Sequence, residues 1–207
     1  MTTALTPRRA ATRERLLVAA LDVLAEVGPA RTSVEAVCER AGFTRGAFYS
    51  NFADLDDLVA GVYRRQSDLV LQQLEEGLQR VLGSGRTDVG EVVAEVLALL
   101  PDDRRWHVVR ADLTAQALRR PEAATLLTTQ RAVLRDRLGP VLRDALLRAG
   151  RRPLVAPEDL AGLLLAAHEH VAVDRVAGAP DRDHRVLVAL VLGLTEPAAD
   201  RPEETRS

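Results

Sequence analysis

Lysine is missing from this chain: all 28 of its basic residues are arginine. A replacement so complete reflects a coding bias, and abundant arginine is by itself no sign of a nucleic-acid partner. Cysteine is almost missing as well. Cys38 stands alone, which excludes an intrachain disulfide framework and a cysteine-rich zinc site. Long apolar runs are absent: the longest, Val186 to Leu194, has nine residues, against about twenty for a membrane-spanning helix. Arg8-Arg9 is not followed by the apolar stretch that a secretory or twin-arginine signal requires. A soluble, cytoplasmic chain without structural metal is the expectation. Strand signals are lacking too, with no β-branched alternation and no Asn-Gly or Asp-Gly turn.

What is present points to helices around a real core. Apolar residues make up 47% of the chain and recur at helical spacing. A first helix is expected from about Thr12 to Val27, with Leu17, Ala20, Leu21, Leu24 and Val27 inward and Gly28-Pro29 as its stop. Thr32-Ser33-Val34-Glu35 matches a capping box, with Thr32 or Ser33 as the cap. A short second helix follows and ends at Gly42; Thr44 caps a third of barely two turns. Asp54 opens a long fourth helix to about Leu82, roughly 42 Å at 1.5 Å per residue. Gly83-Ser84-Gly85 reads as a linker. Further helices are expected at about 88–100, 102–119, 121–149, 157–177 and 183–194, with a kink at Gly139-Pro140. The count is about nine helices, and the charged, Pro-rich tail 196–207 is expected to be disordered.

Charge and aromatics single out one region. Residues 1–52 carry seven Arg against five acids, and the rest 21 Arg against 25 acids. A mildly basic head therefore sits on an acidic body, which is compatible with DNA contact. Six aromatics occur in the chain, and Phe43, Phe48, Tyr49 and Phe52 fall within ten residues. Residues 33–52, SVEAVCERAGFTRGAFYSNF, form a helix, a glycine turn and a second helix, the helix-turn-helix plan. At 100° per residue Phe48 and Phe52 share one face, an anchor against Leu17, Leu21, Val37 and Leu58. Gly46, Ala47 and Ser50 centre the opposite face, with Tyr49 and Asn51 on its flanks.

Small residues there let the backbone approach bases and phosphates closely. Arg45, in the first turn, suits a guanine edge or a phosphate, Tyr49 suits a phosphate, and the Thr44 hydroxyl with nearby amides suits an anion. Arg8, Arg9, Arg13 and Arg15 either touch the DNA backbone or a minor groove, or form a solvated arm.

GFTRGAFYSNFADLDDLV resembles the helix-turn-helix signature of the TetR family of bacterial transcriptional regulators. TRERLLVAALDVLAEVG and TSVEAVCERAG resemble that family's first two helices, so the likeness covers about residues 12–63. The resemblance implies an all-α homodimer. Its helix-turn-helix domain, 1–54, would bind double-stranded DNA at a near-palindromic operator. A helical domain, 55–195, would bind a small-molecule effector and dimerise, with helix 55–82 linking the two. Carried over by position, Arg45, Gly46, Ala47, Tyr49, Ser50 and Asn51 face DNA and Thr44 is the cap. Many members have a Lys near the start of the fourth helix that grips a phosphate; Leu55 stands there among aspartates, and that contact is not expected.

In the body, two apolar helices from Pro157 and from Val186 suggest a two-fold interface. Trp106, Arg110, Gln116, Gln130 and His168 are the effector candidates, with Thr128 and Thr129 as further polar groups on apolar helices. Arg110 meets either an anionic ligand or an internal carboxylate. His168 and His170 are two apart and cannot face one ion from one helix, so no metal is expected, nor any cofactor. Two rival classes exist: a small helical enzyme, for which no nucleophile–base spacing or phosphate loop is found, and an interaction module with a vestigial helix-turn-helix.

Overall fold

The computed structural model describes residues 6–83, 90–91, 95, 103–178 and 185–198. Eight helices run through them: α1 (Pro7–Val27), α2 (Val34–Ala41), α3 (Arg45–Tyr49), α4 (Leu55–Gly83), α5 (Arg104–Ala117), α6 (Pro121–Arg148), α7 (Pro157–Val176) and α8 (Arg185–Gly193). A 3-10 turn, Pro29–Arg31, joins α1 to α2. The chain is all-α in character, as expected. Of the helix read at 88–100, residues 90–91 and 95 are described and are helical; its other residues and the linker residues 84–85 lie outside the described residues.

The chain divides into two compact units, Met1–Val70 with Asp102–Ala132, and Leu71–Pro101 with Val133–Ser207. The first is held by one apolar core. The α1 stripe Leu17, Ala20, Leu21 and Leu24 is buried as the spacing predicts, and Leu16 and Val23 join it. Against it pack Val37 and Cys38 of α2, Phe48 of α3, Phe52 of the turn that follows α3, Leu58 and Val62 of α4, and Trp106, Val109 and Leu113 of α5. Arg105 ties the start of α5 to Asp22 of α1 at 2.7 Å and to its own cap, Asp103, at 2.8 Å. The Arg105 bond holds the Asp103 carboxyl below the usual carboxylate range.

Among the described residues of the second unit, Leu146, Leu160 and Val191 form one core cluster, flanked by Leu142, Leu164 and Leu194. Helix α6 runs unbroken through Pro140. Gly139 has a packing role the sequence did not suggest: a Cβ there would lie 2.9 Å from Glu158 of α7. Its missing side chain thus lets α6 and α7 approach.

Two boundaries differ from expectation. Helix α1 begins at Pro7 rather than near Thr12, because Thr6 is the cap, accepting from Arg9 N at 3.4 Å, and Pro7 fills the first helical position. The tail does not begin at Glu196. Thr195–Pro197 pairs antiparallel with Arg151–Pro153, as β2 and β1. Arg151 donates from Nε to Thr195 Oγ1 and from Nη2 to Thr195 O, each at 2.7 Å. Strands of three residues are too short to show an alternating pattern, and the pairing is accompanied by this arginine and by backbone bonds on either side, Leu154 N to Leu194 O and Ala198 N to Gly150 O. Residues 199–207 of the expected tail lie outside the described residues.

Candidate nucleic-acid interface

The turn between α2 and α3 follows from three local choices. Ser33, the second of the two candidate caps, holds α2 by accepting from Ala36 N at 3.1 Å, while the Thr32 hydroxyl donates to Gly28 O. Gly42 ends α2 at φ +69°, the left-handed conformation that glycine adopts without a Cβ clash. Thr44 then caps α3, accepting from Ala47 N at 3.3 Å. The result is a recognition-type helix of five residues.

The core fixes which side of α3 faces out. Phe48 is fully buried and Phe52 nearly so. Their rings lie 5.7 Å apart, and Phe48 meets the Tyr49 ring edge-on at 5.3 Å. On the other side Thr44, Arg45, Gly46, Tyr49 and Ser50 are exposed and Ala47 is half-buried. Gly46 leaves open space: a Cβ there would meet only Thr44 Oγ1, at 3.7 Å. The structure therefore brings six of the seven nominated residues onto one accessible surface.

Asn51 departs from that arrangement. It is half-buried, and its side chain turns back on the helix end, with Nδ2 donating to Ala47 O at 2.8 Å. Ser50 also donates to that carbonyl, at 2.9 Å. Arg45 is not idle either. It forms an ion pair with Glu35 of α2 at 2.6 Å and lies 5.9 Å from the Tyr49 ring centre. The hydroxyl of Tyr49 and the Glu35 carboxylate push the Arg45 guanidinium above its ordinary value, so it is a permanent cation. The pair is exposed at both ends, and such pairs are weak.

The arginines of α1 reveal what spacing alone left open. Arg9 Nη2 donates to Ser50 O, Arg13 Nη1 to Asn51 O at 2.8 Å, and Arg15 Nη2 to Ala41 O at 2.8 Å. Three of the four candidate arm residues thus donate to backbone carbonyls at the ends of α2 and α3. Gly61 of α4 was also missed: a Cβ there would come within 3.0 Å of Leu17 and 3.1 Å of Phe52. Its absence lets α4 lie against the phenylalanine anchor.

Of the five effector candidates, four lie in the first unit and His168 lies in the second. Trp106 is buried, its ring edge-on to Tyr63 at 4.8 Å. Gln116 lines a cavity of about 350 Å³ in the first unit, with Leu24, Leu55, Val59, Leu113 and Leu126 among its walls. Trp106, Arg110, Gln130 and His168 are not on that cavity. Gln130 is buried in the first unit and His168 in the second, while Arg110 is half-buried. His170 points elsewhere from His168, lying exposed 3.7 Å from Asp174. Among the described residues no cluster of three or more His, Cys, Asp or Glu could hold a metal ion, and no helix is long and apolar enough to cross a membrane.

Comparison with known proteins matches residues 16–62 to the family model described as "Bacterial regulatory proteins, tetR family". The HTH-type transcriptional regulator UidR of Escherichia coli is 22% identical over 134 residues, 65% of this chain and 66% of UidR, just under two thirds of that protein. Among solved structures, Salmonella enterica GusR superposes with a TM-score of 0.71 at 23% identity, covering 92% of this chain and 97% of GusR. The multidrug binding protein EbrR, complexed with imidazole, does so with a TM-score of 0.63 at 22% identity, covering 91% and 98%. At these identities the structures show a shared fold. The likeness to the tetR family of bacterial regulatory proteins at the level of sequence lies in residues 16–62.

Proposed function

We propose that this protein is a sequence-specific DNA-binding transcriptional regulator, a repressor released from its operator by a small-molecule effector. The observation that carries the reading is the surface of α3. A buried Phe48–Phe52 anchor leaves Gly46, Ala47 and Ser50 on the outside, flanked by Arg45 and Tyr49. Residues 1–54 are the DNA-binding part. Arg45 reads a guanine edge or holds a phosphate, Thr44 and Tyr49 hold phosphates, and Asn51 acts on DNA through the end of α3 rather than by reaching out.

A homodimer supplies the second recognition helix, about 34–36 Å away, and so accounts for a near-palindromic site. Its support lies on α7 and α8, where Leu163, Val173 and Val186 are 47%, 46% and 63% exposed. The effector half of the reading draws on the EbrR neighbour, which carries a small molecule. It also draws on the cavity beside Gln116, whose walls include the first turn of α4 and the turn entering α2. An effector that favours an arrangement unfit for DNA weakens operator binding, and DNA weakens effector binding by the same factor. The relatives are regulators rather than enzymes, and the cytoplasm is where such a chain meets DNA.

Gel-shift titration tests the contact assignment. Arg45→Ala is expected to weaken operator binding by about tenfold to a hundredfold, and Tyr49→Phe by several-fold. Sedimentation should show both variants as intact dimers. Unchanged affinity in both would remove the assignment.

A further inference from the structure

Helix α3 has only five residues, far below the length at which a helix is stable by itself. Its direction is therefore imposed by what holds its two ends. The front is held by Thr44. At the rear, the last carbonyls of a helix have no partner within it, and here α1 supplies two guanidiniums. Arg9 donates to Ser50 O. Arg13 donates to Asn51 O at 2.8 Å, and its guanidinium carbon lies 4.2 Å from the centre of the Phe52 ring.

The arrangement is repeated half a turn further along α1. Arg15 donates to Ala41 O at the end of α2 and lies 4.5 Å from the Phe43 ring centre. In both cases a cation sits on the negative end of a short helix and over the face of a phenylalanine, two contacts that reinforce each other. An arginine that grips a DNA phosphate turns its guanidinium outward. Arg13 is half-buried and directs one donor nitrogen at the protein's own backbone.

We propose that Arg13, assisted by Arg9, is a positioning residue for DNA recognition, which fixes the aim of α3 from behind without itself touching the duplex. The proposal rests on the DNA-binding reading above. It makes the N-terminal turns of α1 part of the recognition apparatus, and it identifies a class of residue that a list of DNA contacts would omit.

The test compares Arg13→Met, which keeps the stem over Phe52 and removes the donors, with Arg13→Lys, which keeps the charge. Affinity is measured for a duplex that the unmodified protein enriches from a random pool, here taken as the operator, and for an unrelated duplex, between 50 and 200 mM salt. A positioning role predicts that Arg13→Met lowers operator affinity by about tenfold. Affinity for the unrelated duplex and the salt slope should both stay unchanged, and Arg13→Lys should recover part of the loss. A phosphate contact predicts instead that both affinities fall and the slope shrinks by about one, and that outcome overturns the proposal. So does an unchanged operator affinity.

Arg9→Met, at an exposed position, is expected to give the same signature more weakly and serves if Arg13→Met does not fold. Amide exchange of Phe48 to Phe52, faster in Arg13→Met than in the unmodified protein, tests the clamp without any DNA. A protein that fails to distinguish the two duplexes while its exchange behaves as expected removes the DNA reading and leaves the clamp standing.

Discussion

Phe48→Ala is expected to destabilise the N-terminal unit by about 3–5 kcal/mol, the usual range for deleting a fully buried phenyl ring. Phe48 has no exposed surface and meets the rings of Tyr49 and Phe52 at 5.3 and 5.7 Å. The hole it leaves cannot close easily, since Phe52 is already wedged against Gly61 of α4 and Leu17 of α1 packs beside the same glycine. Total folding stabilities run at about 5–15 kcal/mol, so the loss is a large share of what holds this unit together. Urea unfolding followed by the fluorescence of Trp106, a member of the same core, should show a clear drop in midpoint. DNA binding should disappear in parallel with folding. A shift below about 1 kcal/mol would mean that Phe48 is not the anchor of α3.

Gly46→Leu is expected to do the opposite: keep the fold and abolish recognition. The position is exposed, its Cβ would meet only Thr44 Oγ1 at 3.7 Å, and leucine favours a helix over glycine by nearly 1 kcal/mol. Stability should therefore hold or rise slightly. On a surface that must lie against base edges, an added isobutyl group pushes the helix away and breaks the direct contacts around it. Losing one or two of these corresponds to about 3 kcal/mol, or roughly a hundredfold in operator affinity. Parallel thermal unfolding and gel-shift measurements check both halves. A Gly46→Leu protein that folds and binds normally would show that this face of α3 does not approach DNA. The two substitutions, two residues apart, separate the inner face of one short helix from its outer face.

The same contrast explains what the sequence disclosed and what it hid. The helical spacing of Leu17, Ala20, Leu21 and Leu24 located α1's buried side, and the four-residue interval between Phe48 and Phe52 located the anchor. Both signals are periodic and local. The apolar pattern starts α1 five residues late because no apolar residue larger than alanine lies in its first turns; the Thr6 cap and Pro7 mark the start instead. Their chemistry was in plain view but lay outside the apolar pattern.

The arginines were harder. Arg13 lies four residues before Leu17, on the extension of the buried stripe, and that register was the available clue to its inward course. In a chain whose every base is arginine, residue type carried no contrast to reinforce it. Glu35 as the partner of Arg45 depends on the angle between α2 and α3, which no linear spacing specifies. The surroundings of the effector candidates were hidden for a related reason. Polar groups on apolar helices signal burial, but which cavity they share is decided by long-range packing. Only Gln116 of the five reached the described cavity.

Selection from a pool of random duplexes with the unmodified protein tests the central claim most directly, because it asks whether α3 reads sequence at all. The account predicts enrichment of one defined, near-palindromic sequence, with half-sites about one helical turn apart. Arg45→Ala should relax preference at the same position in each half-site and leave the others intact. Enrichment of no sequence, with uniform salt-sensitive binding to every duplex, would contradict it.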